Sequence, residues 1–367
     1  MQNCETENPK SISRRDFLRL GGLTLGALAL RPWRNFPYLV DFPEAKKLGR
    51  ATATINLRAR PDLDANLIGK VYEDTVFPWI REVIGPMPYQ PNQRWVETPD
   101  GYIWAPSVQP VANTPNPNPP ETLPDSSMGP GFWAEVTVPY VDLSLANPPA
   151  RSEWAKEATN PRLYYSQVLW IDAIERNSND ELIYRVTEPY GSYGDVFWAA
   201  AEAFTPLTPE DIAPIHPDVE DKRVVVDVTH QTLACYEGNT EVYFCQISSG
   251  AKFDAYGDPV EEWATPPGSH PTWRKLVSIH MAGGTTGGGW DLPGIPWTAL
   301  FVGTGVAIHS THWHNNWGVP MSHGCVNARP EDAKWVWRWM NPIVSYDPGD
   351  ISVTMASPGT YVNVIEA

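Results

Sequence analysis

The sequence predicts a mainly β protein assembled from several small modules, and three observations carry that reading. Proline and glycine number 38 and 27 in 367 residues, and proline at about twice its usual share interrupts helices too often for a bundle. Only 19% of residues are charged, while 17 tryptophans and an aromatic share of 11% supply ample mass for packed cores. That combination excludes a disordered acidic chain. Short apolar runs alternate with turn-forming residues along most of the length, the texture of strands joined by tight turns. The length allows two or three domains. Most of the net charge of −16 falls in residues 35–221, and so acidic a chain offers no footprint for nucleic acid. All eight histidines lie at or after His216, five of them between His280 and His323.

The elements follow in order. Arg14 and Arg15 precede an apolar run of 11 residues from Leu20 to Leu30. A charged region followed by such a stretch is the layout of an export signal, and the stretch is shorter than the roughly 20 residues of a membrane span. Residues 1–34 resemble a twin-arginine (Tat) signal. The resemblance implies export to the cell wall or another extracytoplasmic site, with a membrane tether if the leader is not cleaved. Residues 49–111 read as about five short strands closing a small barrel. Within them, residues 56–61 and 101–105 resemble the first and last strands of bacterial SH3-like domains. Residues 112–127, rich in proline, read as a semi-rigid linker. Residues 128–212 form a second β-rich region whose end, residues 182–199, echoes residues 94–105; this reads as a degenerate second SH3-like unit. Contact with the cell wall through these modules is expected.

From Lys222 the texture changes to a β-meander over residues 224–247. One short helix is expected after Cys325, with Pro330 in its first turn, Glu331 and Asp332 at its positive end, and Lys334 and Arg338 toward its other end. A two-residue turn at Gly238-Asn239 would set Cys235 opposite Val242 and Cys245 opposite Thr232. Their sulfurs would then lie on opposite faces, so no disulfide is expected. Cys325 is left as the odd thiol.

The chemistry concentrates in residues 306–329. A cysteine nucleophile needs a base, a group that orients the base, and donors for an oxyanion. His309 ends an apolar strand and can return to Cys325 across a loop, while Gly324 permits the tight turn that aims backbone amides at a carbonyl oxygen. His309-Ser310, followed by Ser322-His323-Gly324-Cys325-Val326-Asn327, resembles the active-site signature of the YkuD-type L,D-transpeptidases. Residues 264–268 resemble that family's Thr-Pro-x-Gly segment, and Gln231-Thr232-Leu233 its Gln-x-Leu hairpin. The gap between His309 and Ser322 sits at the short end of the pattern.

The resemblance covers residues 222–356 and implies a β-sandwich-like catalytic domain acting on peptidoglycan stem peptides as donor and acceptor, without cofactor or metal. It implies Cys325 as nucleophile, His309 as base and the Ser310 carbonyl as its orienting partner. His323 and Gly324 would shape the oxyanion turn. Ser322, Asn327, Arg329, Trp313 and Trp317 are the candidate substrate-side residues. Asn327 either braces the loop or touches substrate, Arg329 either pairs with a stem carboxylate or bonds near the helix start, and the two tryptophans either wall the groove or pack. Covalent addition of carbapenems to Cys325 is a further implication.

Three rival readings stand beside this one. Water as acceptor would make the site an L,D-carboxypeptidase, and the β modules alone would make a non-catalytic wall-binding protein. His309, His312, His314 and His323 could be read as zinc ligands, but no nearby carboxylate completes a familiar motif.

Overall fold

Alternation along Lys222–Asp227 buries Lys222, Val224 and Val226 and leaves their neighbours partly exposed, the pattern of a strand with one face in a core. This strand centres a five-stranded sheet ordered Thr240–Gln246, Thr232–Glu237, Lys222–Asp227, Tyr361–Ile365, Gly268–Pro271. A second five-stranded sheet runs Val326–Ala328, Ala307–Ser310, Trp290–Leu300, Arg274–Gly283, Asp350–Ser352. Their inner faces share one core, with Val224, Leu233 and Val362 from the first sheet and Val277, Ala299, Ile308 and Val326 from the second. The result is the mainly β architecture and β-sandwich that the sequence predicts. The computed structural model describes residues 39–253, 257–283, 290–354 and 359–366, all within one compact unit, Pro37–Ala367. The expected export signal, residues 1–34, lies outside the described residues.

The expected helix is present as Pro330–Trp339, with proline in the first turn and Ala333, Val336, Trp337 and Trp339 buried. Two buried lysines satisfy carbonyls at its C-terminal end, where a helix leaves acceptors unpaired. Lys275 Nζ donates to the carbonyls of Met340 and Pro342, and Lys222 Nζ to those of Ile215 and Trp339. A one-turn helix at Glu153–Glu157 has no counterpart in the sequence expectation.

Two expectations are corrected. The catalytic region does not stop at residue 356, because Tyr361–Ile365 completes the first sheet by pairing parallel to Lys222–Asp227. Cys235 and Cys245 also lie on the same face. The turn at Gly238-Asn239 forms as expected, but an irregularity between Cys235 and Tyr236 skips Val242 and pairs Cys235 with Tyr243 and Leu233 with Cys245. One extra residue on a strand reverses every side chain beyond it. Both thiols are free and buried in the shared core.

The N-terminal module has eight short strands rather than five, in a three-stranded and a five-stranded sheet, around Phe77, Trp79, Val96, Ile103 and Val108. The next region carries a six-stranded sheet and a separate two-stranded pair. The two regions share a local order. Arg94–Thr98 pairs with Gly101–Trp104, which leads into a 3₁₀ turn, Ala105–Ser107, and a further strand. Leu182–Thr187 likewise pairs with Phe197–Ala200, which leads into a 3₁₀ turn, Ala201–Ala203, and a further strand. The proline-rich connection is pinned rather than free, since Asn116 bonds to Glu202 and Phe204 and the Pro120 carbonyl accepts from Tyr184. Trp133, Val168, Trp170, Leu207 and Ile212 of the middle region join the same core as the two sheets of the sandwich.

Candidate active site

Strands Ala307–Ser310 and Val326–Ala328 run parallel, with Ile308 beside Val326, His309 beside Asn327 and Ser310 beside Ala328. Ile308, Val326 and Ala328 point into the shared core. The alternate residues therefore share the other face, where Cys325 packs against the small cluster of Leu276, Leu300 and Ala307. The parallel register thus brings His309 and Cys325 to one face from positions 16 apart in the chain.

His309 is 2% exposed, and its Nδ1 lies 2.7 Å from the Ser310 carbonyl oxygen. A carbonyl can only accept, so Nδ1 carries the proton and Nε2 presents its lone pair. Burial pushes the imidazole pKa down to about 4, so the ring is neutral at neutral pH. Burial pushes the Cys325 thiol up to about 11, against a smaller opposing pull from the Ala307 backbone amide. The thiol is half-buried, and its sulfur lies 3.9 Å from the Gly305 carbonyl oxygen. The resting site therefore holds a neutral thiol and a neutral imidazole on one face of the sheet.

The turn before Cys325 is held from several sides. Gly324 has φ +119°, and a Cβ there would sit 3.1 Å from Val306 Cγ2, so both backbone and space favour glycine. Gly324→Ala is expected to cost about 1–3 kcal/mol, read as a lower midpoint in urea denaturation; an unchanged midpoint would contradict the strain argument. Ser322 Oγ donates to the Cys325 carbonyl at 2.5 Å and accepts from the Gly324 amide. Thr265 Oγ1 donates to the Gly324 carbonyl and accepts from the Gly250 amide, both at 2.8 Å. Gln231 takes the Ser249 amide on Oε1, and the Ser249 carbonyl accepts from the amides of Met321 and Ser322. His323 lies between two indoles, with ring centroids 4.3 Å from Trp263 and 4.6 Å from Trp290.

The remaining candidates divide. Trp313 is partly exposed, with its ring 5.9 Å from that of His309. Trp317 is 5% exposed and donates to Asn315 Oδ1, so it packs rather than walls a groove. Asn327 is completely buried and faces His314 Nε2 at 3.1 Å. His314 Nδ1 accepts from the Asn316 amide, and burial lowers the ring's pKa to about 3. The single ring proton is then on Nε2, and bonding requires Asn327 to turn its carbonyl oxygen toward it. Asn327 therefore braces the loop. Arg329 bonds to Asp332 at 3.4 Å and lies over the Trp317 ring, the arrangement near the helix start. Ser322, expected on the substrate side, is engaged within the turn. Thr265 and Gln231 were visible in the sequence as motif residues, but nothing local signalled that their side chains clamp the cysteine turn.

Residues 221–364 match the family model described as the L,D-transpeptidase catalytic domain, YkuD. No curated protein sequence matches the chain. Among solved structures, the catalytic domain of an E. faecium L,D-transpeptidase is 23% identical, covering 40% of this chain and 98% of its own, with a TM-score of 0.30. An L,D-transpeptidase from Mycobacterium smegmatis is 18% identical, covering 50% and 90%, with a TM-score of 0.31. The L,D-transpeptidase LdtMt1, solved in complex with imipenem, is 16% identical, covering 70% and 99%, with a TM-score of 0.31. The stretch from residue 221 to residue 364 is a YkuD-type L,D-transpeptidase catalytic domain.

Proposed function

We propose that this domain cross-links peptidoglycan through a Cys325 thioester, with His309 as general base. The observation that supports it is the bond from His309 Nδ1 to the Ser310 carbonyl, which leaves Nε2 free to accept a proton on the face that Cys325 shares. Because the resting pair is neutral, proton transfer accompanies attack. His309 Nε2 takes the Sγ proton as sulfur bonds to the carbonyl carbon of the third stem residue. The backbone amides of His323 and Cys325 are the oxyanion donors in this scheme, since that of Gly324 already bonds to Ser322. Collapse breaks the peptide bond, and the imidazolium protonates the departing D-alanine. An acceptor amine then gives up a proton to His309, attacks the thioester and releases the thiol, which recovers its proton.

Mass spectrometry of products from disaccharide-tetrapeptide, with and without an acceptor amine, tests this. A cross-linked dimer that appears with the acceptor is the expected result. Tripeptide alone under both conditions would make the enzyme a carboxypeptidase, and neither product would sink the reading. The leader is proposed to export the chain by the Tat route, and residues 49–111 and 128–212, as SH3-like modules, to contact the wall.

A further inference from the structure

Residues 312–316 lie between the proposed base and nucleophile, and the N-terminal module holds them. Arg50, 2% exposed, donates from Nη2 to the His312 carbonyl at 2.9 Å. Its other nitrogens bond Asp74 and Gln109, and its guanidinium lies 3.9 Å over the Tyr164 ring, which stacks on His312. Arg94 Nη2 donates to the Asn315 carbonyl at 2.6 Å. Asn92 Nδ2 reaches Asn316 Oδ1 at 3.3 Å. The 3₁₀ turn presents the carbonyls of Ala105 and Pro106 to the side chain and amide of Asn315. The contacts continue inward. Ser248 Oγ donates to the Asn316 carbonyl, and Ser248 exchanges backbone bonds with Asn327, two residues past Cys325.

We propose that the N-terminal module is a jaw of the active site, with Arg50 and Arg94 as positioning residues that hold residues 312–316 and, through Asn316, Ser248 and His314, the strand Val326–Ala328 that directly follows Cys325. The proposal rests on the transpeptidase reading only for its turnover arm. The loop's own side chains supply only part of this contact, through Asn315, Asn316 and His312. The module's arginines bond main-chain carbonyls, and these fix the backbone path regardless of side-chain identity. A cavity of about 80 Å³, lined by Gln109, Tyr165, Thr311, His314 and Arg329 among others, lies in the seam and is large enough for water. Loosening the jaw releases the bonds that run through Ser248 to Asn327 and so loosens the surroundings of a thiol whose protonation is governed by burial.

The test uses the full chain, with Arg94→Met and Arg50→Met. Arg94 is the safer variant for folding because its side chain is 23% exposed. One readout is the pH midpoint of Cys325 alkylation by iodoacetamide, followed by peptide mass spectrometry, and the other is turnover of tetrapeptide. The expected result is an alkylation midpoint lower by about half a unit or more. It is accompanied by a kcat reduced about tenfold or more with KM within about twofold, because misplacement of the reacting groups acts on kcat. A midpoint unchanged in Arg94→Met overturns the proposal, whatever the effect on thermal stability. A shifted midpoint in a protein whose wild type turns over no tetrapeptide would uphold the jaw and reject the transpeptidase reading.

Discussion

Cys325→Ala is expected to remove D-alanine release and cross-linked product together, while circular dichroism and thermal unfolding stay close to wild type. The sulfur makes no strong bond that the fold needs: it lies 3.9 Å from the Gly305 carbonyl, and the pull of the Ala307 amide on it is outweighed by burial. Truncation removes one polarizable atom beside Leu276, Leu300 and Ala307 and stays within about 1 kcal/mol of stability, in the range of small side-chain changes. The chemical loss is total because no other described thiol can substitute: Cys235 and Cys245 sit in the core between the sheets. The same variant should lose the covalent adduct that intact-mass measurement is expected to show after carbapenem treatment. Residual cross-linking by Cys325→Ala above about a thousandth of wild type would reject the nucleophile assignment, since removing the nucleophile of such a site costs far more than that.

Stability is expected to fall steeply below neutral pH. Three imidazoles of the catalytic loop are buried neutral: burial lowers His309 to about 4 and His312 and His314 to about 3. In the unfolded chain each titrates near 6.5, so between these values the unfolded state binds more protons and stability drops as pH drops. The displacement of His309 alone corresponds to about 3 kcal/mol once pH has passed below 4. His280 acts in the opposite direction. Burial alone would lower it, but Glu188 on Nδ1 and Asp291 on Nε2 outweigh that and raise it to about 9. Its contribution is complete below about 6.5 and is lost as pH rises through 9. Urea midpoints measured from pH 4.5 to 9.5 should therefore peak close to pH 7 and fall on both sides, most sharply on the acid side. A flat profile down to pH 4.5 would show that the loop histidines are hydrated and not buried as described.

The sequence made the β class, the helix after Cys325 and the pairing of His309 with the Ser310 carbonyl legible, because each has a local signal. Proline and turn residues punctuate strands, Pro330 with two acids marks a helix start, and a histidine followed by Ser310 sits in a motif. What stayed hidden depends on partners distant in the chain. The irregularity at Val242 reverses Cys245, and no residue there advertises it. The strand at Tyr361–Ile365 becomes visible only beside a partner about 140 residues away. Asn327 and Trp317 each kept two readings open, bracing or packing against substrate contact, because a position in the chain does not reveal exposure. Arg50 is about 260 residues from the carbonyl it holds, and one arginine in a short strand carries no mark of its destination.

The middle region's share of the catalytic core separates two kinds of boundary. The family match begins at residue 221, yet Trp133, Val168 and Trp170 pack in the same cluster as Val277 and Trp297, and the Val168 carbonyl accepts from Ser278 Oγ at 2.5 Å. A cut at residue 221 would leave a fragment with the full inherited motif and an open flank of tryptophan-sized gaps. The stretch that matches the family is thus smaller than the unit that shares one core.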